Sequence, residues 1–157
     1  MKPVILGRQT WKQNMENRIT QDQISRITSY FESINQLDDT PEGKWNVKEI
    51  IGHLIDSGVN NLFRYHRILI NDETQLSGYS QDELVSFQSY AKWDYQTLVD
   101  TWKSINQLIL NFVQQTPESR LGTQVTIGGQ SFTLEEMFLD YTQHIDHHLK
   151  QVEALQQ

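Results

Sequence analysis

The clearest helical pattern in the chain is TLEEMFLDYTQHIDHHLKQV, residues 133–152. Its apolar residues recur at the spacing of one helix face, and Thr133 followed three positions later by Glu136 is the signature of a capping box. We therefore predict a long helix that begins after Thr133. His144 and His148 stand four residues apart in it, so their rings lie one turn apart on the same face and can bind one metal ion.

The direction of this histidine pair follows from the helical period. At about 100° per residue, His144 and His148 lie inside or beside the apolar face, whereas His147 lies on the other side of His144. A single His-x-x-x-His motif more often consists of two ordinary core or surface histidines than of two metal ligands. Two inward imidazoles side by side alter that balance, because each buried nitrogen needs a partner. A third ligand from elsewhere in the chain would decide between the two interpretations.

Length and composition predict a single domain over residues 1–157. A net charge of −7 and a pI near 5.1 argue against a nucleic-acid partner, and the lack of a basic amphipathic run argues against a membrane-surface role. The chain has no cysteine, which excludes disulfides, thiolate ligands and a cysteine nucleophile. We find neither a signal-peptide pattern nor a run of about 20 apolar residues, so the expected location is the cytoplasm.

Four further segments carry helical periodicity or cap signals, and they are predicted as helices over residues 18–36, 47–70, 81–90 and 95–115. Asn46, Ser80 and Asp94 are the predicted N-caps of the last three. A Gly-Gly turn between two short extended pieces at residues 125–132 predicts a small hairpin before the last helix. The expected fold is all-α, a four-helix bundle with a short extra helix, preceded by a lead-in of weak pattern at residues 1–17.

The second predicted helix has two contrasting faces. Its apolar face is wide and consists of Val47, Ile50, Ile51, Leu54, Ile55, Val59 and Leu62. A polar strip beside it consists of Glu49, His53, Asp56, Ser57, Asn60 and Arg64. The simplest interpretation of this strip is a solvated face, and the alternative is a strip that lines a wet cleft at one end of the bundle. Periodicity alone does not choose between them.

Two short motifs resemble those of a known family. The first is Trp45-Asn46-Val47-Lys48-Glu49 followed by His53-Leu54-Ile55-Asp56, and the second is Tyr141-Thr142-Gln143-His144 followed by His147-His148 and Gln151. With the helix order, these motifs make the chain similar to the DinB-like superfamily, which includes YfiT-type metal-dependent hydrolases and bacillithiol S-transferases. The resemblance implies a four-helix bundle with up-down-down-up connections and pairing of two copies into a homodimer.

The resemblance also implies a set of metal ligands. Members of the family usually hold their metal with one histidine of the second helix and two of the last, and the matching positions here are His53, His144 and His148. His147 corresponds to a neighbouring position that is not usually a ligand. His66 matches no motif and is expected to be a surface or packing residue.

Three neutral imidazoles leave a divalent ion with at least one open position, which is typical of a catalytic rather than a structural site. Nitrogen ligands suit zinc, nickel, copper and iron, so the sequence does not name the metal, and zinc or nickel is the expected ion. The ion could activate water for hydrolysis, or hold a low-molecular-weight thiol as the thiolate that attacks an electrophile. We therefore expect a metal-dependent thiol S-transferase or hydrolase of small molecules. The alternative is a non-catalytic metal-binding bundle that acts as a stress-related interaction protein.

Four other polar side chains lie within one turn of an expected ligand: Glu49, Asp56, Asp140 and Tyr141. Each could orient a histidine or act as an acid or base, but a surface position explains the carboxylates equally well. Arg64 could pair with a substrate carboxylate or form a surface ion pair. A ferritin-like di-iron bundle would need paired Glu-x-x-His motifs, which the sequence lacks.

Overall fold

The computed structural model describes residues 18–37, 40 and 42–157. Its α-helices are α1 (Gln21–Glu32), α2 (Val47–Asn71), α3 (Gln81–Gln88), α4 (Tyr95–Gln115) and α5 (Leu134–Leu155). Its strands are β1 (Gln75–Leu76), β2 (Gln124–Ile127) and β3 (Gln130–Thr133), and single 3-10 turns lie at Tyr90–Lys92 and Glu118–Arg120. The long helices α1, α2, α4 and α5 form the predicted four-helix bundle, and α3 is the predicted short extra helix. The predicted lead-in at residues 1–17 lies outside the described residues.

Side-chain caps explain where the long helices begin. The side chains of Thr20, Asn46 and Thr133 each accept a backbone N–H three residues later and complete a capping box. Asp94 accepts the Thr97 N–H at 2.9 Å at the start of α4. Such caps stabilise a helix by about 1 kcal/mol each, because they satisfy N–H groups that have no partner inside the helix. Ser80 precedes α3 as predicted, but its side chain makes no capping hydrogen bond.

Helix α1 is shorter than the predicted helix over residues 18–36. It begins after Thr20, and it ends at Glu32. At the end of α1, the Ser33 hydroxyl donates to the Tyr30 carbonyl at 2.7 Å, a local bond that competes with continuation of the helix. The chain stays against the core beyond that point, since Ile34 is buried without being helical. Apolar spacing alone therefore overestimated the length of this helix.

The predicted hairpin is present and belongs to a three-stranded sheet. β2 and β3 pair antiparallel around Gly128 and Gly129, whose positive φ angles of 55° and 87° suit a tight hairpin turn. The sequence analysis missed β1, which pairs in parallel with β2 and is only two residues long. The Thr126 N–H also donates to the Thr74 carbonyl at 2.7 Å. Since β1 follows α2 and β3 leads directly into α5, the sheet connects the end of α2 to the start of α5.

Large aromatic side chains fill the bundle core. The ring of Phe31 on α1 packs edge-on against Trp102 on α4, with centroids 5.3 Å apart. The ring of Tyr65 on α2 packs in the same way against Phe138 on α5, at 4.9 Å. Such pairs stabilise the fold by about 0.5–1.5 kcal/mol in addition to the free energy gained by burying their surface. They link α1 to α4 and α2 to α5, and the second link holds together the two helices that carry the predicted ligands.

The apolar face of α2 is narrower than predicted. Val59 was assigned to this face, but it is 49% exposed. Phe63 and Ile70 are also exposed and continue the same row along the helix. The assignment of Val59 to the core was wrong, because neighbouring helices cover only part of the apolar arc. Within residues 18–37, 40 and 42–157, no helix combines the length and the apolar character that a bilayer crossing requires.

Candidate metal centre

Three histidines from two helices converge on one point. His53 Nε2 and His148 Nε2 each lie 3.0 Å from His144 Nε2. We call His53, His144 and His148 the histidine triad. His53 and His148 are buried and His144 is half-buried. In the described part of the chain, no other group of three or more histidine or acidic side chains lies close enough together to share an ion. The structure thus brings together the three residues that the family resemblance selected.

Helix α2 delivers His53 from a strip that is buried, not solvated. His53 is fully buried, and Asp56 and Ser57 are only 5% and 4% exposed. The Ser57 hydroxyl lies 3.4 Å from His144 Nδ1 on α5, and Asp56 accepts a hydrogen bond from Tyr90 beyond α3 at 2.6 Å. The interpretation of this strip as a solvated face was therefore wrong. Segments distant in the sequence cover it, and the periodicity of one helix carries no information about them.

Aromatic packing shields His53 on one side. The ring of Trp45, just before α2, lies 4.9 Å from the ring of His53 and 6.4 Å from that of His148. Trp45 is followed directly by the Asn46 cap, so the start of α2 fixes the ring and His53 together. A large apolar ring here keeps water from His53, which strengthens electrostatic interactions at its nitrogen atoms.

Burial keeps the triad neutral. Desolvation, with a smaller contribution from the neighbouring imidazoles, lowers the pKa of His53 to about 3 and that of His144 to about 4. Burial also lowers the pKa of His148, although its hydrogen bond to Gln151 opposes that shift. Because these pKa values lie below 7, the rings are uncharged near neutral pH. Each ring therefore offers one nitrogen lone pair, which is the form that binds a metal ion.

The hydrogen-bond partners assign the nitrogen of His148 that points at the centre. His148 Nδ1 lies 2.8 Å from Gln151 Oε1. An amide oxygen only accepts, so the hydrogen sits on Nδ1 and the Nε2 atom presents a lone pair to His144. Three Nε2 atoms at hydrogen-bond distance cannot all be satisfied by the few hydrogens that neutral rings carry. One cation between them would satisfy all three lone pairs at once.

Two buried polar atoms near the triad have no partner. His53 Nδ1 and Asp56 Oδ2 make no hydrogen bond, although both are buried and both belong to α2. The other oxygen of Asp56 accepts from Tyr90. Burial raises the pKa of Asp56, and the bond from Tyr90 partly offsets that shift. Asp56 was one of the residues that could orient a histidine, and the structure leaves one oxygen of its carboxylate free to do so.

The other three polar residues that lie within one turn of an expected ligand do not contact the triad through hydrogen bonds. Glu49 accepts the Asn46 N–H at 2.9 Å and belongs to the helix cap. The Tyr141 hydroxyl is buried and donates to Asn106 Oδ1 at 2.8 Å. Asp140 is exposed. None of the three hydrogen-bonds to a triad histidine among the described residues.

The remaining two histidines stay outside the cluster. His66 is exposed on α2, as expected for a residue that matches no motif. His147 is exposed beside the triad, with Nε2 3.2 Å from Gln151 Nε2. Gln151 thus contacts both His147 and His148. The sequence analysis assigned no role to Gln151 or Ser57. Gln151 lies three residues after His148 and Ser57 four residues after His53, so each shares a helix face with that histidine.

Two clefts meet at His144. The larger, of about 750 Å³, is lined by His144 and His148 together with Trp45 and Gln151, and it does not reach the buried His53. The smaller, of about 230 Å³, reaches His144 from the side of Arg64. His144 therefore lines both clefts.

Comparisons with known proteins agree with this fold. A family model described as the DinB superfamily matches residues 18–152. Among solved structures, YfiT from Bacillus subtilis gives a TM-score of 0.71 over 87% of this chain and 87% of that chain, with 17% sequence identity. That structure is described as a probable metal-dependent hydrolase with an unusual four-helix bundle topology. At this identity the likeness establishes the fold alone. No curated protein matches the sequence.

Proposed function

This chain belongs to the DinB superfamily, and on that premise we propose that it is a metal-dependent enzyme of small molecules. His53, His144 and His148 would hold one divalent ion, with zinc or nickel the expected metal. The observation that carries the proposal is the convergence of three neutral imidazole nitrogens from two helices, two pairs of them 3.0 Å apart. A purely structural bundle has no use for such a cluster, because burying unsatisfied polar atoms destabilises a fold.

The residues fit such an ion. Tetrahedral zinc with nitrogen ligands at about 2.0–2.1 Å separates the ligand atoms by roughly 3.3 Å, close to the spacing in the triad. The nitrogens belong to neutral rings, and Gln151 accepts from the far side of His148 as an outer partner of a ligand should. Three protein ligands leave an open position for substrate, as in catalytic zinc sites.

When bound, the ion supplies Lewis-acid chemistry and lowers the pKa of a water molecule or thiol in its open position. The chain's own residues prepare the site for it. Trp45 limits the access of water to His53, and Gln151 and Ser57 restrain the rings of His148 and His144. Both restraints reduce the motion of ligands that must stay within a few tenths of an ångström of their positions.

Two clefts at one centre favour transfer between two substrates over hydrolysis. One cleft would admit a thiol and the other its electrophile, whereas water needs no cleft of its own. The protein has no cysteine, so the sulfur nucleophile of such a reaction would come from a low-molecular-weight thiol. We therefore place a thiol S-transferase first and a hydrolase second within the proposed class.

The first test is metal content per chain in protein purified without a histidine tag. We expect about one divalent ion per chain, which His53→Ala and His148→Ala each abolish and the control His66→Ala retains, because His66 is exposed and outside the triad. A wild-type protein that takes up neither zinc nor nickel on titration would overturn the proposal. Thiol-dependent consumption of an electrophile then separates an enzyme from a metal-binding protein without turnover.

A further inference from the structure

The smaller cleft has a defined shape and composition. One wall is the face of α2 that presents Ser57, Asn61 and Arg64, and the opposite wall is the face of α5 that presents Met137, Tyr141 and His144. The hairpin closes one side with Ile127, Gln130 and Phe132. Its walls are therefore partly apolar, with the triad at one end and a guanidinium at the other. From Ser57 to Arg64 the helix rises by about 10 Å.

Among the described residues Arg64 forms no ion pair, unlike three of the other arginines. Arg18, Arg67 and Arg120 each pair with a carboxylate. Arg64 donates instead to the Ser77 carbonyl at 3.1 Å, and its guanidinium lies over the Tyr79 ring, 5.8 Å from the centroid. Among the described residues no carboxylate lies within 4.0 Å of it. Lys48 is likewise half-buried and has no salt bridge among the described residues, but of the two cations only Arg64 lines the cleft that reaches His144.

We propose that this cleft binds a small organic acid, with its carboxylate on Arg64, its hydrocarbon part against the hairpin and its reactive end at the histidine triad. The inference rests on the proposed function, because the triad gives the cleft its chemistry. A guanidinium presents a planar fork that matches a carboxylate with two parallel hydrogen bonds. Burial of Arg64 already lowers its pKa, so an arriving anion would compensate a cation that has lost part of its hydration.

A carboxylate fits the charges of the cleft better than a phosphate does. Arg64 is the single cationic residue among those that line it, and Asp140 on the opposite wall adds a negative charge. A monoanion would balance the guanidinium, whereas a dianion would leave an excess negative charge facing Asp140. The remaining polar groups, such as those of Asn61 and Gln130, are neutral donors that suit either ligand.

The first experimental arm needs no metal. Hexanoate is titrated into the full-length, isotope-labelled protein after EDTA treatment, and the Arg64 Nε–H signal is followed by NMR after assignment with Arg64→Lys. We expect a saturable shift of that signal with hexanoate and none with hexanol. The signal of Arg67, which lies on the same helix as Arg64 and is already paired with Glu73, should stay in place. No shift with hexanoate, or an equal shift with the same concentration of inorganic phosphate, would overturn the proposal.

The second arm uses cobalt-loaded protein and compares 6-mercaptohexanoate with 6-mercaptohexan-1-ol through the absorption of the cobalt–thiolate bond. The acid should bind about tenfold more tightly than the alcohol, as expected for a charged hydrogen bond. Arg64→Gln should remove this preference and Arg67→Gln should retain it, provided that thermal unfolding shows both variants folded. A preference that survives Arg64→Gln would overturn the proposal. If cobalt does not bind at all, the triad proposal fails, and the hexanoate arm alone decides the role of Arg64.

Discussion

Gly52→Ala provides a sharp test of how the triad is supported. A Cβ atom on Gly52 would lie 2.1 Å from Tyr90 Cδ2 and 2.2 Å from Tyr90 Cγ. Non-bonded carbons need about 3.5–4.0 Å, so the alanine must displace the ring by more than an ångström. Tyr90 is 2% exposed and has little room to move. Its hydroxyl also holds Asp56 at 2.6 Å, so the displacement breaks this bond and leaves both oxygens of a buried carboxylate without a partner.

The cost can be estimated from the separate effects. Overpacking of a well-packed core destabilises by about 1–3 kcal/mol. Loss of a buried hydrogen bond to a charged group costs about 1.5–3 kcal/mol. Alanine is the better helix former by about 1 kcal/mol, which offsets part of the loss. We expect Gly52→Ala to lower the free energy of unfolding by about 2–4 kcal/mol, measured by urea unfolding of metal-free protein at pH 7 with circular dichroism.

Two further variants separate the causes. Tyr90→Phe keeps the ring and removes the hydroxyl, so it should cost about 1.5–3 kcal/mol by loss of the bond to Asp56. Gly78→Ala is the matched control, because nothing lies within 4 Å of its added Cβ, and its effect should stay within about 0.5 kcal/mol. A Gly52→Ala protein as stable as the Gly78→Ala control would refute the reasoning.

Three other predictions concern pH, a buried hydroxyl and the hairpin. The unfolding temperature of metal-free protein should fall as the pH drops from about 6.5 towards 4. The pKa values of the triad are lowered in the folded state, so the unfolded chain takes up protons at a higher pH than the folded protein does. An unchanged unfolding temperature over that range would contradict this. Tyr141→Phe should cost about 1–3 kcal/mol in urea unfolding without changing the metal content, because it leaves Asn106 Oδ1 buried without its donor. Gly129→Ala should cost about 1–2 kcal/mol in the same assay, since φ at this position is +87°, and a neutral effect would exclude strain there.

Local signals in the sequence predicted most of the architecture. The capping boxes at Asn46 and Thr133 placed the starts of α2 and α5 at the correct residues. These signals are reliable because each joins residues three positions apart, so no tertiary contact is needed to form them. The spacing of His144 and His148 is local in the same sense. The position of His53 relative to that pair is not local, and the family resemblance supplied it.

The features that the sequence did not predict depend on which helix faces are covered by segments distant in the sequence. Periodicity left open whether the polar strip with His53 and Asp56 is solvated or lines a cleft, whereas Tyr90 and His144, 34 and 91 residues away, contact it in the structure. Val59 has the spacing of a core residue but is exposed, because none of the described helices covers it. Helical periodicity states which residues share a face. Only the tertiary arrangement decides whether that face meets another element or water.

The sheet between α2 and α5 has a consequence for insertions and deletions in this chain. β3 continues without a break into α5, so a shift of one residue in its pairing with β2 would move the start of α5 by about 3.3 Å along the strand. Ligand atoms of a metal site tolerate only about 0.2 Å. Extra residues at the Gly128–Gly129 tip would leave the pairing intact, whereas one added or removed within β2 or β3 would displace His144 from His53. Length variation among relatives of this protein should therefore concentrate at the tip of the hairpin and avoid its strands.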